Sequence, residues 1–67
     1  MGIANGADLA FQKRAALADA ARVRTLQGNN AGAAEIYREI LNDLEESDPE
    51  RGLFEMRLSE AEYAAKA

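Results

Sequence analysis

The side chains of this 67-residue chain that could do chemistry are twelve carboxylates, eight lysines and arginines, and a few hydroxyls; cysteine and histidine are absent. That absence removes Cys–His and Ser–His nucleophilic pairs, iron–sulfur clusters, haem ligation through His and ordinary zinc sites. Carboxylate chemistry remains, and Glu35, Glu39, Asp43 and Glu46 form the densest set. Spacings of three and four put them along one side of a helix, where like charges repel slightly. Acid–base catalysis needs two carboxyls converging in a cleft, and a convex helix face does not supply that. No EF-hand loop and no Glu-x-x-His pair offers a divalent metal a site. Lys13 and Lys66 belong to no phosphate-cradling loop, and Gly28 stands alone in its turn. The sequence thus predicts no catalytic, metal or cofactor-binding residue and no small-molecule substrate.

The net charge is −4, with a pI near 4.6, which opposes nonspecific binding to nucleic acid or to an anionic membrane. The charge is unevenly spread, for residues 1–34 carry a net +2 and residues 35–67 a net −6. Arg14, Arg22 and Arg24 make a small basic patch on the first helix, expected to pair with acidic helices. A DNA-reading helix-turn-helix needs a basic recognition helix, and the later helices are acidic. No run approaches the roughly 20 apolar residues that span a bilayer. The first six residues lack the basic and apolar regions of a signal peptide, and Gly6 stands where a myristoylation site wants Ser or Thr. The expected location is cytoplasmic, or the interior of a virion or other assembly.

Fifteen alanines, frequent Leu, Glu and Arg, and few β-branched residues define an all-α chain. Gly28-Asn29-Asn30 is a turn, with a C-cap glycine followed by N-cap asparagines. Ser47-Asp48-Pro49-Glu50 starts another helix: Asp48 can cap, Pro49 fits the first helical position, and Ser47 with Glu50 can form a capping box. Residues 1–6 read as a flexible lead-in to a single domain over 7–67, a three-helix miniature with helices near 7–27, 31–46 and 49–65. Its design is an antiparallel helical hairpin plus a C-terminal third helix.

Within that frame the middle helix has the clearest core stripe: Ala33, Ile36, Tyr37, Ile40, Leu41 and Leu44. The third helix contributes Leu53, Phe54 and Leu58, and the first Leu17 and Ala21. Apolar residues of the first helix are spread around its axis with alanines between them, so it can sit centrally or against neighbours. A chain this short buries only about 60% of its unfolded surface, and without disulfide or metal the remaining support is a partner. Met56 and Tyr63 lie outside the stripe of the third helix, and Phe11 is a further large apolar residue near the start of the first, where Leu9 and Phe11 can fall outside the core. Phe11, Met56 and Tyr63, with Arg22 and Arg24, are the expected partner-binding residues, whether the partner is another protein or a second copy.

The segment from Arg14 to Ser47 resembles a tetratricopeptide repeat, a helix–turn–helix unit of about 34 residues. The resemblance rests on Ala21 in the first helix, Gln27-Gly28 at the turn, Ala33, Tyr37 and Leu41 in the second helix, and the closing Asp48-Pro49. It departs from the pattern at Arg24, at Ile40 and in the late arrival of Pro49. The resemblance implies protein–protein binding. The expected function is therefore a non-catalytic helical interaction module or oligomer subunit. The alternatives are a small decorating or cementing component of a large assembly such as a virion, or an acidic inhibitor and nucleic-acid mimic that occupies a basic groove.

Overall fold

The computed structural model describes residues 6–66, with side chains placed for Leu9 and for residues 11–66. Three helices make up the fold: α1 (Gly6–Leu26), α2 (Asn30–Asp43) and α3 (Arg51–Lys66), with no strand among the described residues. Most of the expected lead-in, residues 1–5, lies outside the described residues.

The first turn follows from one backbone conformation. Gly28 has φ +81, a left-handed geometry that costs an L-residue about 1–2 kcal/mol but not glycine. Around it the Asn29 amide donates to the Arg24 carbonyl at 2.8 Å and the Gly28 amide to that of Thr25 at 3.0 Å. These two bonds close the end of α1 as a Schellman motif. The same short turn opens α2, where Asn29 Oδ1 accepts from the Gly32 amide at 3.0 Å. Gly32 permits this cap, because a Cβ there would stand 2.5 Å from the Asn29 side chain.

The second connection is built differently. α2 stops at Asp43 rather than near 46, for Leu44 turns extended (φ −88, ψ 140) and drives its side chain into the core. The Leu41 carbonyl accepts from the Leu44 amide at 3.2 Å, and Arg51 Nη1 donates to the carbonyls of both Leu41 and Leu44, at 3.3 and 3.2 Å. An arginine at the start of one helix thus caps the end of the previous one. Asp48 Oδ1 accepts from the Glu50 amide at 2.8 Å, and α3 proper begins at Arg51, two residues after Pro49.

α2 is the central element. It packs on α1 along one flank and on α3 along the other, while α1 and α3 scarcely meet. The even scatter of apolar residues on α1 does not make it central; it lies at the edge. The core has two parts. Near the α1–α2 turn, Ala21, Ala33, Ala34 and Ala61 let three backbones approach closely. Toward the other end, Ile40, Leu44 and Phe54 form a cluster of larger side chains, flanked by Leu17, Ile36, Tyr37 and Leu41. Tyr37 and Phe54 rings sit 6.3 Å apart and tilted, a favoured aromatic arrangement. Leu58 is half-buried against the alanine cluster.

Leu53 departs from the expected core. It is 44% exposed, because its side of α3 points toward α1, and α1 does not reach it.

Candidate interaction surface

Because α1 and α3 flank α2 without closing on each other, a groove of about 560 Å³ runs between them. Tyr37 of α2 lies at its base. Ala18 and Leu26 come from α1, and Leu53, Ala61 and Ala64 from α3, so the lining is largely apolar. Arg22 stands on the α1 wall, and Arg57 with Glu60 on the α3 wall. Each arginine is held by a neighbour on its own helix: Arg22 to Asp19 at 2.9 Å and Arg57 to Glu60 at 3.6 Å. Both pairs are solvated, so each is worth only a few tenths of a kcal/mol and readily exchanges partners.

The groove continues onto bare surface. Tyr63 is 79% exposed and Leu26 76%, and Met56 and Phe11 are also more than half exposed. Met56 and Tyr63 are seven residues apart and share one face of α3, beside the groove. Phe11 stands apart from them on α1, with the Arg14 guanidinium 5.8 Å from its ring centre. Arg14 in turn pairs with Asp48 at 3.5 Å and Glu50 at 3.1 Å, tying α1 to the second connection. Arg22 and Arg24 are both exposed, and Arg24 has no ion pair among the described residues.

Leu9, Val23, Leu26 and Leu53 are further exposed apolar residues, not among the expected partner-binding ones. For Leu26 the signal was available, since it lies one residue before the capped turn. Leu53 depends on tertiary placement, and no local pattern contains that.

Most of the described carboxylates are engaged singly in ion pairs at the surface. Asp43 pairs with Lys13 at 3.3 Å, Glu62 with Arg38 at 2.8 Å and Glu55 with Arg51 at 3.3 Å. Glu35, Glu39, Glu45 and Glu46 are exposed and make no ion pair among the described residues. No group of three or more acidic side chains among the described residues could hold a metal ion. None of the described helices is long and apolar enough to cross a membrane. Comparison with known protein families, curated proteins and solved structures gives no match.

Proposed function

We propose that this protein is a non-catalytic helical interaction module that holds a partner by helix packing, through the α1–α3 groove and the adjoining face of α3. One observation carries the reading: the apolar groove and the exposed Leu26, Leu53, Met56 and Tyr63 form surface that the described residues leave uncovered. Such a groove suits an apolar helix face presented at i, i+3, i+4 and i+7 spacing. The tetratricopeptide-like hairpin supports the same reading, as does a third helix docked on the free flank of α2. The acidic-mimic alternative draws less support, because Asp43, Asp48, Glu50, Glu55, Glu60 and Glu62 are already engaged by cations of the same chain.

The test compares the parent with a Leu53→Glu/Tyr63→Glu variant, both checked for helix content by circular dichroism. Light scattering after size exclusion reads self-association, and affinity capture with mass spectrometry reads other partners. The variant should lose the associations of the parent. A folded variant that keeps all of them refutes the proposal.

A further inference from the structure

The exposed face of α3 carries a regular pattern of apolar and charged residues. Leu53, Met56, Arg57, Glu60, Tyr63 and Ala64 recur at spacings of three and four, the seam of a helix that packs on another helix. Most of that seam is exposed; Ala64 is half-buried along the groove. Its only charges are Arg57 and Glu60, and they cancel. Glu55, Glu62 and Lys66 point to other sides of the helix, and Glu62 is held by Arg38 of α2.

The charges and the outer apolar residues of this seam are self-complementary, with Met56 falling beside Glu60 of a second copy laid antiparallel. Arg57 and Glu60 sit symmetrically about the Leu58–Ser59 peptide, with Leu53 and Met56 on one side and Tyr63 and Ala64 on the other. When a second α3 is laid antiparallel with its centre at the same peptide, Arg57 meets Glu60 of the second copy, and Glu60 meets its Arg57. In the same register Leu53 meets Tyr63 and Ala64 of the second copy, at both ends of a contact about 16 Å long. A two-fold axis requires this reciprocity, since each residue on one copy must suit its counterpart on the other.

We infer that the partner of this face is a second copy of the chain, joined through antiparallel α3–α3 packing about a two-fold axis. The inference rests on the interaction-module reading and names its partner. The intrachain Arg57–Glu60 pair, at 3.6 Å and solvated, opens at little cost and re-forms as two pairs between copies. Leu53 of the second copy covers Ala64 and Tyr63 and approaches Leu26 across the groove, so the apolar patch is shared by both molecules. One helix pair buries less than a standard interface of about 800 Å² per partner, and the dimer therefore forms reversibly at roughly micromolar to millimolar concentration.

Sedimentation equilibrium and native mass spectrometry test this on the full chain. The parent should move with concentration toward twice its 7.3 kDa mass. Arg57→Glu alone and Glu60→Arg alone each place like charges at both symmetric contacts, and each should weaken the dimer about tenfold. An equimolar mixture of the two variants should restore it as a heterodimer, since every contact again joins opposite charges. Both positions are exposed, and circular dichroism confirms the fold of each variant. A parent that stays monomeric to about 1 mM overturns the two-fold pairing. So do single variants that dimerise like the parent, or a mixture that fails to recover. Capture of a different protein, lost in Leu53→Glu/Tyr63→Glu, would keep the module reading while this inference fell.

Discussion

Replacing Ile40 with alanine probes the centre of the molecule most directly. Ile40 is 1% exposed, the largest fully buried side chain, and packs in the cluster with Leu44 and Phe54 where α2 meets both neighbours. The substitution removes three carbon groups, about 2.4 kcal/mol at ~0.8 kcal/mol each. The cavity left behind raises the loss to about 3–4 kcal/mol. A domain of this length has a total stability of roughly 3–10 kcal/mol. The variant therefore loses a third or more of its stability, and at the lower limit it does not fold. Urea titration followed by circular dichroism reads this as a midpoint lowered by about 3 M, taking a slope near 1 kcal/mol per M. Leu41→Ala is the internal control: its side chain is only half-buried on the same helix, and it should lose about half as much. An Ile40→Ala midpoint within about 0.5 M of the parent, or a larger loss at Leu41, refutes the placement of the core on α2.

Two further predictions concern the connections. Gly32→Ala should be nearly neutral in the parent, because about 1 kcal/mol of helix propensity is offset by a displaced Asn29 cap. In an Asn29→Ala background the same change should stabilise by about 0.5–1 kcal/mol, a difference that paired thermal melts resolve. Arg51→Met should lower stability by about 1–2 kcal/mol, because the Leu44 carbonyl loses its partner while that of Leu41 keeps only the Leu44 amide. Arg51→Lys should recover little in the same urea titration, since an ammonium lacks the planar fork.

What the residues announced in advance was mostly local. The Gly28 turn follows from the φ > 0 that only glycine takes easily, and the stripe through Ala33, Ile40 and Leu44 follows from the helical repeat. Exposure of Met56 and Tyr63 was legible because each falls off the stripe of α3, and that of Phe11 because it stands near the start of a helix without a stripe. Ala34 escaped notice because alanine is indifferent to burial, and only the close approach of three helices makes it core. Arg51 reads locally as the first residue of a helix; its capping role requires knowing where α2 ends. The groove is legible from no single helix, for it exists because α1 and α3 scarcely meet.

The placement of α2 between two neighbours that ignore each other also governs how the chain gets to its folded state. Every substantial helix pairing joins consecutive segments, so only the short spans of the two connections must be closed before each pairing forms. Contact order is correspondingly low, which places folding in about the microsecond-to-millisecond range. Either hairpin can nucleate first, and the third helix then docks on a surface already assembled. The open groove is thus a topological by-product of a route that never demands a long-range closure.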